Sequence, residues 1–277
     1  MWKRCAGLLG LTAMLLSSWC GAWGGQALAG EARLACMLVV DAGSGKVLAK
    51  EGEACAQRNS PASTFKVALA LMGFEAGILQ DSHHPLWPYR KEYNASLEIW
   101  RHDTDPARWE DKSVVWFSQR LTRKLGMARF QKFVDAFGYG NRDLSGDPGK
   151  NNGLTHAWLA SSLAISPEEQ VAFLRRMLNG QLPVSARTVE KTMAVLPTHR
   201  LANGWTVHGK TGSAFEHDAR GRQDRMHQFG WYVGVAEKDG RRIVFARLNR
   251  DGPTRDGAWG VPTRNEVWSE LETVLKG

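Results

Sequence analysis

The sequence predicts an α+β fold in which a central antiparallel sheet is flanked by helices and interrupted by an inserted all-helical lobe. Three observations carry this. An apolar strand pair opens the folded part, Cys36 to Lys50. A long helical middle follows, and three strand-like runs with one helix close the chain. Strands at both ends of the chain must meet to bury their apolar faces, so the sheet is completed around the inserted lobe. Two lobes leave a cleft between them, and small-molecule sites favour clefts. The length of 277 residues suits one large domain or two halves sharing a core.

The elements follow in order. Cys36-Met-Leu-Val-Val40 and Lys46-Val-Leu-Ala-Lys50 flank the turn Asp41-Ala-Gly-Ser-Gly45, a hairpin. Ser60-Pro61 breaks the chain before an Ala-rich apolar run, Ser63 to Ala76, which reads as a buried helix ending near Gly77. Asp81 to Asp111 is rich in Trp, Pro, His and charge and shows no clear period. Short helices fit Ser113 to Lys124 and Met127 to Phe137, and Gly138 to Leu154 reads as a loop. Ser166-Pro-Glu-Glu169 is a helix start, with Ser as N-cap, Pro at N1 and Glu at N3. That helix runs to about Asn179, and another fits Ser185 to Val195. Strands are expected over Gly204 to Thr211, Gln228 to Glu237 and Arg241 to Asn249, the last two joined by a tight turn at Lys238-Asp-Gly240. Val267 to Lys276 closes as a helix.

The N-terminus reads as an export signal. Lys3 and Arg4 precede an apolar stretch, Leu8 to Leu16, too short to span a bilayer, and Ala27-Leu-Ala29 offers small residues for cleavage. Residues 1–29 are expected to leave, with cleavage after Ala29. Residues 30–277 are then expected to be one exported domain, with no membrane span. The cut also removes Cys5 and Cys20. Cys36 and Cys55 remain, and an even pair in an oxidising compartment suggests a disulfide; two separate buried thiols are the alternative. The formal charge of +8 raises the question of a nucleic-acid partner. The basic residues are scattered among acids, and the densest group, Arg220 to Arg225, reads as a solvated loop, so none is expected.

Two apparent motifs fail. Gly43-Ser-Gly-Lys46 lacks both the earlier glycine and the following Ser or Thr of a phosphate loop. No Gly-x-Ser-x-Gly elbow exists, and the histidines stand in no triad or ligand context. No metal site is expected, since the cysteines lack histidine at ligand spacing.

Ser63-Thr-Phe-Lys66 is the informative segment. Ser and Lys at i and i+3 on a helix share a face, and a hydroxyl at the helix start sits among free N–H groups. A capped helix with a surface lysine is the plain alternative. The helix that follows is apolar all round, so Lys66 is expected to be buried, which is costly unless the site uses it. Lys210-Thr-Gly212 is a second piece: a charge on a strand between glycines suits close approach of a ligand, and a plain edge-strand lysine is the alternative. Ser113-Val-Val115 is a third, which could be a simple N-cap.

Pro61 to Lys66, Ser113-Val-Val115, Tyr139-Gly-Asn141, Trp158-Leu159 before Ile165-Ser166, and Lys210-Thr-Gly212 occur in that order. Together they resemble the class D, oxacillinase-type serine β-lactamases, over essentially the whole chain after the leader. The resemblance implies hydrolysis of β-lactam antibiotics, and hence resistance, with Ser63 acylated. It makes Lys66 an N6-carboxylysine, a carbamate formed with carbon dioxide and acting as general base. No other cofactor is implied. Trp158 would donate to the carbamate, with Phe65 and Val115 keeping it dry. Ser113 would relay a proton to the leaving nitrogen beside Lys210. The backbone N–H groups of Ser63 and Ser213 would form the oxyanion hole next to Gly212. Thr211 and Arg264 would hold the substrate carboxylate, with Arg255 a rival for Arg264, and Tyr139 and Asn141 would shape the cleft wall or simply form a turn. Ser213 stands where the family often has bulkier residues. The partner is a small-molecule β-lactam, and a monomer or homodimer is expected. The competing readings are a penicillin-binding transpeptidase or carboxypeptidase and a β-lactam sensor, both of which acylate without turnover.

Overall fold

The computed structural model describes residues 33–217, 222–254 and 257–276. The expected leader with its cleavage point at Ala29, and Arg255, lie outside the described residues. β1 (Arg33–Asp41) and β2 (Val47–Glu51) form the expected hairpin, with Val39 opposite Ala49. The Asp41 carboxylate closes its turn by accepting from the Ser44 N–H at 2.8 Å and hydroxyl at 2.7 Å. Cys36 and Cys55 are joined by a disulfide, with Cα atoms 4.9 Å apart.

The helices are α1 (Lys66–Glu75), α2 (Pro106–Lys112), α3 (Val115–Leu125), α4 (Met127–Phe137), α5 (Gly153–His156), α6 (Pro167–Leu178) and α7 (Ala186–Val195). The capping box of α6 forms as its sequence requires: the Ser166 hydroxyl accepts from the Glu169 N–H, and the Glu169 carboxylate accepts from the Ser166 N–H. Two expectations need correction. The stretch before Asp111 holds a helix, α2, whose signal is Asp105-Pro106: the Asp105 carboxylate caps the Arg108 N–H at 2.8 Å, and Pro sits at N1. Ser113 is not the N-cap of α3. It ends α2 in the left-handed conformation, φ +58°, and Val114 precedes α3.

After β3 (Thr198–Arg200) come β4 (Thr206–His217), β5 (Gln223–Lys238), β6 (Arg241–Pro253) and α8 (Gly260–Val274). The long strands outrun their expected limits, and α8 begins well before Val267. β3 is three edge residues, too short for a periodic pattern to reveal. Asp239 and Gly240 both take positive φ, the backbone a two-residue hairpin turn needs. The sheet order is β2-β1-β6-β5-β4-β3, antiparallel at every pairing. β1 lies beside β6, Val39 opposite Phe245, so the two ends of the sequence do meet across the inserted lobe.

Alternation along these strands serves two cores. On one face Val39, Val207, Tyr232 and Phe245 pack with Val267 and Leu271 of α8. On the other, Leu38, Val40, Val233 and Val244 join the apolar α1 and α6 and the helical lobe. Val67 to Phe74 of α1 are buried without a break. A helix so enclosed carries its first residue, Lys66, into the interior. Among the described residues no helix is long and apolar enough to cross a membrane.

Candidate active site

Residues before the first helix are pinned from both lobes. The Ser60 hydroxyl donates to the Trp158 carbonyl and accepts from the Ala160 N–H, each at 3.0 Å, while the Trp231 indole donates to the Ser60 carbonyl at 2.9 Å. The chain then turns through Ala62, a non-glycine residue at φ +48°, into a 3₁₀ turn, Ala62–Phe65, that continues into α1. Such a backbone costs about 1–3 kcal/mol and persists where surroundings impose it, often at functional sites. It presents the half-buried Ser63 to a cleft of about 500 Å³, lined by Ser63, Trp100, Ser113, Val115, Leu159, Thr211, Gly212, Ser213 and Val261 among others.

Lys66 is fully buried and donates from Nζ to Ser63 Oγ at 3.1 Å. Burial, reinforced by the nearby Lys210 charge and opposed by Glu110, depresses its pKa to about 7. A large fraction of this lysine is therefore neutral amine near pH 7. Phe65 packs against Trp158, Phe130 and Tyr139, with ring centroids 5.6, 5.9 and 5.1 Å away. Trp158 is fully buried, and its indole Nε1 has no hydrogen-bond partner. A buried donor left unpaired costs about 1–3 kcal/mol, so this N–H marks a place for an acceptor.

The opposite wall is β4. Lys210 is buried and donates from Nζ to Ser113 Oγ at 3.1 Å and to the Thr211 carbonyl at 3.2 Å. Its left-handed backbone lets Ser113 meet Lys210 as α2 ends. Burial lowers the Lys210 pKa to about 8, with Glu110 and Asp111 pulling the other way. Gly212 suits a close approach: a Cβ there would lie 3.0 Å from the Pro61 carbonyl oxygen, so the neighbours would have to give way. The strand thus passes directly against the Ser63 turn. The Ser213 hydroxyl donates to the Gly212 carbonyl and accepts from the Gly260 N–H at 2.6 Å, tying β4 to the start of α8. Arg264 lines a smaller adjoining cavity, shared with Lys210 and Thr211, and lies over the Trp268 ring at 4.3 Å.

Tyr139 and Asn141 behave as supports. The Tyr139 hydroxyl donates to Gln170, which donates to Thr64 at 2.9 Å. The Asn141 side chain donates to the Ser162 carbonyl and accepts from the Ala164 N–H. Gly140 between them takes φ +55°, and a Cβ there would collide with the Ala164 carbonyl. One residue at this centre escaped sequence reading. Glu110 is fully buried, neither carboxyl oxygen has a partner, and its charge acts on both Lys66 and Lys210. Burial lifts its pKa to about 7, against the pull of the two lysines. No group of His, Cys, Asp and Glu able to hold a metal ion occurs among the described residues.

The family described as "Penicillin binding protein transpeptidase domain" matches residues 35–271. The chain is 46% identical to β-lactamase OXA-9 of Klebsiella pneumoniae, over 87% of this chain and 88% of that protein. It is 40% identical to β-lactamase OXA-1 of Escherichia coli, over 76% and 74% respectively. Among solved structures it resembles the class D β-lactamase OXA-427, with TM-score 0.82 and 46% identity, covering 87% of this chain and 98% of that one. The C-terminal domain of the Bacillus licheniformis BlaR penicillin receptor has the same fold, TM-score 0.72 at 24% identity over 86% of this chain and 89% of the receptor domain.

Proposed function

The chain belongs to the class D serine β-lactamases, and from that premise we propose that it opens β-lactam antibiotics through an acyl-enzyme on Ser63, in the periplasm, and so confers resistance. The observation that carries this is the buried Lys66, poised near neutrality and 3.1 Å from the Ser63 hydroxyl. Ser63 Oγ attacks the lactam carbonyl carbon while its proton passes to the base at Lys66. The lactam C–N bond breaks, and the nitrogen takes a proton relayed by the Ser113 hydroxyl, with the Lys210 charge steadying the relay. The backbone N–H groups of Ser63 and Ser213 hold the oxyanion, a device worth roughly 10²–10³ in rate per donor. Thr211 and Arg264 orient the substrate carboxylate, a task the guanidinium fork suits. Water then cleaves the ester, and Ser63 recovers its proton.

A carbamate formed by Lys66 with carbon dioxide would supply a stronger, carboxylate-like base in this place. The residues fit it: the unpaired Trp158 Nε1 donor offers it a hydrogen bond, the buried Phe65 and Trp158 rings keep water away on one side, and Val115 lines the cleft on the other.

Mixing the protein with a penicillin, while following ring opening and intact mass, tests the reading. Many turnovers per enzyme are expected. A stable one-to-one adduct would instead favour a receptor or transpeptidase that acylates and stops.

A further inference from the structure

Trp268 has no part in the chemistry above, yet Arg264 is laid against it. The two stand four residues apart on α8 and so share one helix face. The Arg264 guanidinium carbon lies 4.3 Å from the Trp268 ring centre. The ring of His199, on β3, stacks on the same indole with centres 3.7 Å apart and planes 13° from parallel. Two groups so near one ring would collide on a single face, so the indole is held between them. Its N–H donates to the Tyr232 hydroxyl at 3.2 Å, and the two side chains meet edge to face at 86°. Tyr232 is buried on β5, directly opposite Thr211 of β4. Gly209 makes room for it, since a Cβ there would collide with the Tyr232 hydroxyl. The indole is thus fixed to the sheet that carries Lys210 and Thr211.

The hydrogen bonds of the guanidinium are local. Its Nε and Nη donate to Asn265 Oδ1 at 3.3 and 3.0 Å, and Asn265 is the exposed next residue of the chain. A long side chain that must be ordered at the moment of binding gives up rotamer freedom, and that loss weakens the contact. An aromatic face takes a guanidinium by stacking and cation–π attraction while leaving N–H groups at its edge free for a carboxylate. Arg264, Trp268 and His199 line one cavity of about 160 Å³ with Lys210 and Thr211, and Asp111 is the acid beside them. We propose that Trp268 is a positioning residue for the substrate carboxylate: sandwiched between His199 and Arg264, it holds the guanidinium ready in the cavity shared with Lys210 and Thr211. The inference rests on Arg264 being the carboxylate anchor. Trp268 acts through Arg264, so its contribution falls on substrate binding rather than on acyl transfer.

The test is steady-state hydrolysis of a penicillin by the mature protein and by Trp268→Leu, Trp268→Phe, Arg264→Ala and the double variant Arg264→Ala/Trp268→Leu. Trp268→Leu removes the aromatic face and keeps an apolar side chain. It is expected to raise KM about two- to fivefold, the range that one cation–π contact near the surface supports, while kcat falls far less. Trp268→Phe keeps an aromatic face and should restore most of the native KM. In the Arg264→Ala background Trp268→Leu should add no further rise, because the group it positions is already gone. If Trp268→Leu does not fold, as judged by circular dichroism, Trp268→Met serves, with the same expectation. Arg264→Ala that raises KM while Trp268→Leu leaves it unchanged, or two effects that multiply in the double variant, overturns the inference alone. An unchanged KM in Arg264→Ala overturns the anchor reading, and this inference with it.

Discussion

The two walls of the cleft each carry a buried lysine touching a serine hydroxyl at 3.1 Å, yet they are built differently. On the helical wall Lys66 heads an apolar helix, donates to Ser63 and, among the described residues, has no other hydrogen-bond acceptor, with Glu110 as the one acid acting on its charge. On the strand wall Lys210 also donates to a backbone carbonyl and feels two acids, Glu110 and Asp111. Burial lowers the pKa of both lysines, and acids oppose that lowering more strongly at Lys210, where both Glu110 and Asp111 act. In the proposed mechanism the same residue type takes opposite tasks, a base on one wall and a fixed charge on the other. Burial acts on both nitrogens alike, so any difference between them must come from the acceptors and acids around each.

Removing each lysine is the strongest way to break this contrast. Lys66→Ala should lower kcat/KM for penicillins by about 10³–10⁴, the upper part of what a general base contributes. Lys210→Ala should cost nearer 10², as loss of one electrostatic donor does. Steady-state kinetics on variants shown to be folded by circular dichroism decide it. Equal losses at the two positions would mean that the walls are not specialised.

Trp158→Phe sharpens the helical side. It keeps the ring packed on Phe65 and deletes only the unpaired N–H. Loss of a hydrogen bond to a charged group costs about 1.5–3 kcal/mol, so hydrolysis of the acyl-enzyme should slow by about ten- to a hundredfold. Acylation should slow less, leaving acyl-enzyme visible by intact mass, and added bicarbonate should restore part of the rate. A variant with unchanged turnover and no accumulated adduct would leave that N–H without a purpose.

Arg264→Ala tests the strand side at its rim. Arg264 shares a cavity with Thr211 and Lys210 whose lining does not include Ser63. Its loss should raise KM for penicillins about tenfold, or about 1.4 kcal/mol, and change kcat little. If Arg255→Ala produces that effect and Arg264→Ala does not, the carboxylate anchor belongs to Arg255.

The sequence shows the helical wall better than the strand wall, for a physical reason. Ser63 and Lys66 are i and i+3 on a continuous apolar run, so their meeting is a local consequence of helix geometry. The same holds for the α6 capping box. Lys210 and Ser113 are far apart in sequence, and their contact depends on a left-handed residue that no local rule requires of a serine. Motif resemblance, not periodicity, placed them together. Asp105-Pro106 is a legible helix start that the surrounding Trp, Pro and His obscured. Glu110 stayed hidden because Trp-Glu-Asp-Lys reads as the polar end of a surface helix. Only the fold shows that its second residue turns inward while Asp111 stays outside.

A last test is on stability, and it probes the helical wall without substrate. In carbon-dioxide-free buffer Lys66 titrates near 7 in the folded protein and near about 10.4 in the unfolded chain. Between those values the unfolded chain binds the proton that the folded protein has released. Stability then rises with pH across that window, and the contribution is lost as pH falls towards 7. Lys210, depressed to about 8, adds a slope of the same sign. Glu110 is raised to about 7, so its contribution has the opposite sign and is confined to lower pH. Lys66→Met keeps the length of the side chain and removes the titration. Comparing Tm from pH 7 to 10, the native protein should gain on Lys66→Met as pH rises, with the steepest gain midway between the two pKa values. Parallel Tm curves would mean that Lys66 keeps its proton in the folded state, and the distinction between the two walls would fall with it.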